Sequence, residues 1–327
     1  MANSSIRFDM RAPGFGEASR GELYAAALDM CAWADERGFV SVALSEHHGV
    51  EDGFMSSPLT MAGMVVGRTR NILVSISALL APLYDPLRLA EDLATLDIGS
   101  GGRVAVTAGM GYRPDEYAAL NKEFKNRGQI LDECLEVLLK AWTGEPFEYR
   151  GAMCVVTPVP VTKPHPLIFV GGSTPAAARR AARFGLPFAP PLHADDLNEL
   201  YLVECERLGV AHPFVVDPGE PVMSYFSDDP DATWQQIGPY LLHEAVTYAS
   251  WQRSDQRSFQ HSKGATIEAI REEGKYRVLT PEQALAWADQ QGSAAIFHHF
   301  PLGGGIPPRL GWASLELYAD RVMPYLK

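Results

Sequence analysis

No apolar run in this chain approaches the roughly 18 residues that span a bilayer, and basic residues are in deficit. Twenty-eight Lys and Arg stand against 40 Asp and Glu, a formal net charge of −12. The first absence argues against a membrane partner. The second argues against nucleic acid, because neutralising phosphates takes clustered cations. Cysteine is scarce and scattered: Cys31, Cys134, Cys154 and Cys205 form no CxxC pair. Neither a disulfide framework nor a zinc site is expected, and no metal site is assigned. GxxxxGK[ST] and GxGxxG are also missing, which sets aside the P-loop and the dinucleotide fingerprint. His243-Glu244 opens like a zinc-protease helix, but Thr247 stands where the second histidine is needed. No internal repeat is visible. The stretch from Met1 to Phe15 has no long apolar core of the kind a secretory signal carries, so a cytoplasmic location is expected and Asn3-Ser4-Ser5 is read as a chance glycosylation pattern.

What is present is ample core material, 46% hydrophobic against 21% charged, arranged in a rhythm. Strands are expected at Ile6–Met10, Phe39–Leu44, Ile72–Leu80, Val104–Ala108, Leu167–Val170, near Pro187–Pro191, at Pro221–Phe226 and at Ala294–Phe300. Between them, helical spacing runs through Gly21–Gly38, Pro58–Arg68, Asp85–Ile98, Arg127–Trp142, Pro175–Phe184, Asp195–Leu208, Thr280–Gln291 and Leu310–Met323. Strand then helix, about eight times, implies parallel strands with right-handed crossovers. An open doubly wound sheet gives the same local pattern, but the count of eight and the length favour one α/β domain over residues 1–327, a (β/α)8 TIM barrel with insertions. Two segments fall outside the rhythm. Residues 147–161 read as a hairpin. Residues 229–276, with a Ser/Gln/Arg-rich stretch from Ser250 to Ser262, are too long for an ordinary connection and read as a lid or dimer element.

In a barrel of this kind the chemistry sits in the loops after the strands. The loop after strand two is Ser45-Glu46-His47-His48, and after strand four comes Gly109-Met110-Gly111-Tyr112. Neighbouring residues at a strand end point in opposite directions, so His47-His48 is a poor bidentate metal ligand. One of the two is a candidate acid/base or hydrogen-bonding residue, the alternative being a histidine that holds its loop. The Gly171-Gly172-Ser173-Thr174-Pro175 turn offers close backbone approach and the free N–H groups of a helix start, which suit a phosphate. Arg179 or Arg180 could add charge there or face outward, and the turn could equally be an ordinary capped helix start. Of His298-His299 at the last strand, one is expected to face the mouth, the alternative being a purely packed role.

In order and spacing these pieces resemble the bacterial luciferase-like monooxygenase superfamily. The likeness runs from Gly38-Phe39 to Ser45-Glu46-His47-His48. It continues through Ala81-Pro82, Asp85-Pro86-Leu87-Arg88-Leu89-Ala90-Glu91-Asp92, Leu96-Asp97 and Ser100-Gly101-Gly102-Arg103. Gly109-Met110-Gly111-Tyr112 with Glu116, Gly171-Gly172-Ser173, Arg180-Ala181-Ala182-Arg183-Phe184-Gly185 and the closing Pro301-Leu302-Gly303-Gly304-Gly305 complete it, and residues 229–276 are the main unmatched block.

The resemblance implies a luciferase-like barrel that binds FMN, or the deazaflavin F420, across its mouth. The family's active-site histidine falls on His47. Its strand-three bulge with a non-proline cis peptide behind the flavin falls on Ser77-Ala78, and its phosphate site on Gly172, Ser173 and Thr174. Gly109, Gly111 and Gly171 are expected beside the cofactor, and Met110, Tyr112 and His298 beside the substrate. Where luciferase has a cysteine-arginine pair after strand four, this chain has Gly109-Met110, so light emission from an aldehyde is not expected. The implied activity is a monooxygenase that takes reduced FMN from a partner flavin reductase and uses O2 to oxidise a small, apolar molecule. Hydride transfer with F420 and a non-catalytic flavin-binding barrel are the alternatives, and a homodimer is expected from the family.

Overall fold

The computed structural model describes residues 3–216, 218, 222–252, 257–258, 262–292 and 295–326. Pro221 and Ala294, the expected first residues of two strands, lie outside the described residues, as do Met1, Ala2 and residues 253–256 and 259–261 of the Ser/Gln/Arg-rich stretch.

The strands are β1 (Asn3–Phe8), β2 (Ser41–Leu44), β3 (Leu73–Leu79), β4 (Val104–Ala108), β5 (Phe147–Tyr149), β6 (Ala152–Cys154), β7 (Leu167–Gly171), β8 (Phe188–Ala189), β9 (Met223–Phe226), β10 (Tyr276–Leu279) and β11 (Ile296–His299). The helices are α1 (Arg20–Glu36), α2 (Pro58–Arg68), α3 (Pro86–Ser100), α4 (Pro114–Ala119), α5 (Arg127–Ala141), α6 (Pro175–Phe184), α7 (Asp195–Leu208), α8 (Pro230–Trp251), α9 (Ile267–Glu272), α10 (Pro281–Gln291) and α11 (Pro308–Arg321). Local chemistry sets many of these boundaries. Ser19 and Glu22 form a capping box on α1, Asp85 caps α3 ahead of Pro86, and Thr174 caps α6 ahead of Pro175. Each satisfies N–H groups that a helix start leaves unpaired.

Nine strands form one parallel sheet in the order β10-β9-β11-β1-β2-β3-β4-β7-β8. The return of β11 to pair with β1 is the closing seam of a TIM-type barrel. Among the described residues, no ladder joins β8 to β10. The expected hairpin is there, β5 against β6, antiparallel and outside the main sheet. Strand β10 was not expected: at four residues, with Arg277 inside it, Tyr276–Leu279 carries too short an apolar signal.

Register separates the two faces. Ile6, Val42, Val74 and Val104 stand side by side, as do Phe8, Leu44, Ile76, Val106 and Ile168, and all of them lie in the core under the helices. Each such burial stabilises the fold by roughly 1.5–3 kcal/mol, so these outer rows carry the barrel. The inner rows are different. Arg7, Ala43, Ser75 and Ala105 are neighbours, as are Ser77, Thr107 and Phe169. These side chains are mostly small, and Ser77 is exposed on the inner face while Ser41, Ala43, Ser75 and Phe169 are only half-buried. An ordinary barrel fills this space with branched side chains; this one leaves it hollow on that side.

The opposite side is filled by α8. Met223, Tyr225, Tyr276 and Val278 share a buried cluster with Trp234, Ile237, Leu241 and Ala245 of this 22-residue helix, while Phe226 turns the other way, onto Tyr318 of α11. The longest described element of the block read as an insertion is therefore a helix laid against the inner face of β9 and β10. No helix among the described residues is long and apolar enough to cross a membrane.

Candidate active site

At the end of β2 successive side chains diverge, as strand geometry requires. Glu46 turns toward β3, where its carboxylate accepts from the Leu80 amide at 2.6 Å, the Tyr84 hydroxyl at 2.6 Å and His48 Nε2 at 2.9 Å. His47 turns into the mouth, its backbone tied to the carbonyl of Met55. Its Nδ1 lies 2.9 Å from Oε1 of Glu116, in the first turn of α4. The same oxygen accepts the His48 amide at 2.9 Å and Arg113 at 3.4 Å.

A carboxylate only accepts, so Nδ1 carries the proton and Nε2 is left as an acceptor. The Tyr112 hydroxyl lies 3.1 Å from Nε2 and is its donor. Burial pushes the His47 pKa down, and Arg11 and Arg113 push the same way. Glu116 opposes them through its hydrogen bond and its charge. The balance keeps the ring neutral near pH 7. Burial also holds the Tyr112 phenol well above its ordinary value, so it remains a donor.

Around this chain of groups stands an aromatic wall. Phe54, Tyr248 and Trp251 lie 4.9, 5.8 and 4.8 Å from the His47 ring, centre to centre. Two of these come from the last turns of α8. Arg11, fully buried after β1, packs on the same three rings and pairs with Asp9 and Asp52, and Arg113 lies over Trp251. His243 of α8 reaches Asp52 at 2.8 Å, tying the helix to the loop after β2.

Across the hollow lies a bed of small residues. The Ser77–Ala78 peptide is cis, at an irregularity in the β3–β4 ladder. A Cβ on Gly109 would stand 2.9 Å from that of Ala78, and one on Gly171 would stand 2.8 Å from the Thr107 methyl. Gly172 takes φ +140°, with Ala177 only 2.7 Å from where its Cβ would be. The backbone here comes closer than any side chain would permit. Ser173 Oγ accepts from the Arg257 amide, and Thr174 caps α6.

The structure thus brings His47, Tyr112 and Glu116 together at the mouth and sets Ser77, Ala78, Gly109 and Gly171 along the bed. Other expected residues stand elsewhere. Met110 has its sulfur against Gly128 at the start of α5. His298 faces inward, but its Nδ1 meets Ser5 Oγ at 2.7 Å, four residues below Asp9 and so about 13 Å down the strand. His299 faces out into Phe39, Phe226 and Tyr318. Neither arginine of α6 serves the glycine turn: Arg180 pairs with Asp132 and Arg179 with Glu204. Sequence reasoning missed Arg11, Phe54, Tyr248 and Trp251. The loop after β1 meets the strand-end rule that selected the others and could have been found by it.

The family model for luciferase-like monooxygenases matches residues 8–291. The oxygenase component of the flavin-dependent trigonelline monooxygenase of Acinetobacter baylyi is 25% identical over 183 residues, 54% of this chain and 51% of that protein. The chain spans about half the length of the curated relatives it matches. Monooxygenase RslO1 of Streptomyces bottropensis superposes with a TM-score of 0.74 at 25% identity, covering 99% of this chain and 100% of that one. Two further structures share the fold over 100% of this chain and 99% of their own. One is the oxygenating constituent of 3,6-diketocamphane monooxygenase from Pseudomonas putida in complex with FMN, at TM-score 0.70 and 17% identity. The other is an F420-dependent secondary alcohol dehydrogenase, at 0.65 and 15%.

Proposed function

Because the chain belongs to the luciferase-like monooxygenase family, we propose that it is a flavin-dependent monooxygenase that oxidises a small, apolar molecule with reduced FMN and O2. The observation that carries this reading is the hollow inner face. A flat ring needs a bed without side chains, and Ser77, Ala78, Gly109 and Gly171 border one, with close approaches at Gly109 that exclude even a methyl group. The turn Gly171-Gly172-Ser173-Thr174 at the start of α6 suits the phosphate of the same molecule, by backbone N–H groups and the helix dipole. Reduced FMN held there would supply two electrons to O2, one oxygen atom going to the substrate and the other to water. The chain's own residues would do the rest. Phe54, Tyr248 and Trp251 keep water from the reacting centre, and the neutral His47 with Tyr112 takes up or returns a proton. A flavin reductase partner and a homodimer belong to the same reading, as does a covering role for the end of α8 over the mouth.

A cofactor titration tests it. Protein would be mixed with FMN, with reduced FMN under nitrogen, and with F420, following fluorescence and absorbance, and then exposed to air. Saturable binding of reduced FMN and substrate-dependent oxygen uptake are expected. Binding of F420 alone would replace the reading with hydride transfer, and no response to any of the three would leave a non-catalytic barrel.

A further inference from the structure

His47 has no open approach. Its side chain is 6% exposed, three aromatic rings cover it, Nδ1 is tied to Glu116, and Nε2 faces the Tyr112 hydroxyl. Tyr112 stands in front of it, half-buried, in the turn that begins with Gly109 at the edge of the hollow. Building on the functional reading above, we propose that Tyr112 is the residue that exchanges a proton with the molecule bound at the mouth, and that His47 and Glu116 are positioning residues behind it.

The step balances. A ligand hydroxyl gives its proton to Tyr112 Oη while the tyrosine's own proton passes to His47 Nε2. The ligand is left as its anion, the tyrosine neutral, and His47 as an imidazolium against the Glu116 carboxylate. The reverse order returns the proton. The charged groups around the ring fit this use. Glu116 stabilises the imidazolium, while Arg11 from the end of β1 and Arg113 from the start of α4 oppose it, so the ring rests neutral and able to accept. Burial of Tyr112 disfavours a free phenolate, which suits concerted passage through it.

Histidine-labelled (15N) protein without ligand, titrated by NMR, gives the first readout, with the His47 signal identified by its loss in His47→Gln. The expected result is a proton on Nδ1, Nε2 as acceptor, and a protonation midpoint that rises by about half to one pH unit in Tyr112→Phe, because a hydrogen bond to the neutral ring is lost. A proton on Nε2, or an unmoved midpoint, would overturn the proposal. Glu116→Gln should move the midpoint the other way, which covers the case in which Tyr112→Phe folds poorly; an unmoved midpoint there also counts against the relay.

Adding FMN, tracked by quenching of its fluorescence, is the second readout. Its effect on His47 Nε2 should appear in the natural protein and vanish in Tyr112→Phe at matched FMN saturation. An effect equal in both would show that His47 meets the ligand itself, and would overturn the assignment. If neither protein binds FMN in its oxidised or its reduced form, the functional reading falls, while the ligand-free midpoint still decides whether Tyr112 and His47 share a proton.

Discussion

Two histidine pairs close two strands of this sheet, and their surroundings are opposite. At the end of β2, His47 and His48 each meet a buried carboxylate, Glu116 and Glu46. At the end of β11, His298 meets a serine hydroxyl and His299 packs on the rings of Phe39, Phe226 and Tyr318; among the described residues neither nitrogen of His299 has a hydrogen-bond partner. The same two letters in the sequence therefore stand against carboxylates in one place and against a hydroxyl and aromatic rings in the other. What separates them is the partner, brought to His47 from 69 positions away. Burial without a carboxylate pushes His298 down to about 4, with Arg7 adding to it, and His299 down to about 3, with His298 adding to it. These two rings stay neutral at any ordinary pH.

The largest expected difference is catalytic. His47→Gln should lower turnover by about 10²- to 10⁴-fold, the usual worth of general acid–base catalysis, while FMN affinity holds. His299→Phe should leave turnover within about twofold, since a side chain outside the site moves the activation barrier by only a few tenths of a kcal/mol. Substrate-dependent oxygen uptake measures both. Equal losses in the two variants would erase the distinction between the pairs. Glu116→Gln comes next. Gln still accepts a hydrogen bond but carries no charge, so the imidazolium loses its counter-ion. Charged hydrogen bonds exceed neutral ones by about 1.4 kcal/mol, or tenfold in rate, and a tenfold loss of turnover with FMN affinity kept is expected on the same assay.

Much of this arrangement was legible in the sequence. The run of short strands and amphipathic helices fixes which loops meet at the mouth and so reaches the His47-His48 and Gly109–Tyr112 loops and the glycine turn, while the family resemblance singles out His47 and Tyr112 within them. The path of α8 was not. Trp234, Ile237, Leu241 and Ala245 follow helical spacing, but periodicity names an apolar face without saying which side of the sheet receives it. The placement of its aromatic end, Tyr248 and Trp251, is hidden for the same reason. His298 shows the converse limit. A strand end identifies a residue near the mouth, yet β11 pairs His298 with Ser5, and that register sets its depth.

A stability measurement sharpens the comparison on the β11 side. His299 stays neutral in the fold down to about pH 3, whereas in the unfolded chain it binds a proton below about pH 6.5. Stability is therefore lost as pH falls from the unfolded value toward the folded one. His299→Phe removes that loss and two unpartnered buried nitrogens, in a box that is already aromatic. At pH 7 the two proteins should differ by less than about 1.5 kcal/mol. The variant's advantage should grow steadily on acidification. Asp9 and Glu244, whose burial raises their values, are present in both proteins and cancel in the difference. Denaturant midpoints at several pH values would show the gap, and a constant gap would mean that His299 titrates normally.

His48 should show the smallest effect and the opposite sign. Its hydrogen bond to Glu46 raises its pKa, the neighbouring charges of Glu46 and Glu116 reinforce that, and burial opposes them. A raised value in the fold means that the ring contributes stability below its unfolded value, and that the contribution disappears as pH rises through the folded one. The side chain is 19% exposed, so solvent screens the pair and the contribution stays below about 1 kcal/mol. His48→Ala should cost more on the acid side of neutrality than on the alkaline side, while the His299→Phe curve bends the other way. Measured together, the two variants ask whether carboxylate contact, rather than burial, divides the histidines. Curves bending in the same direction would place the division elsewhere.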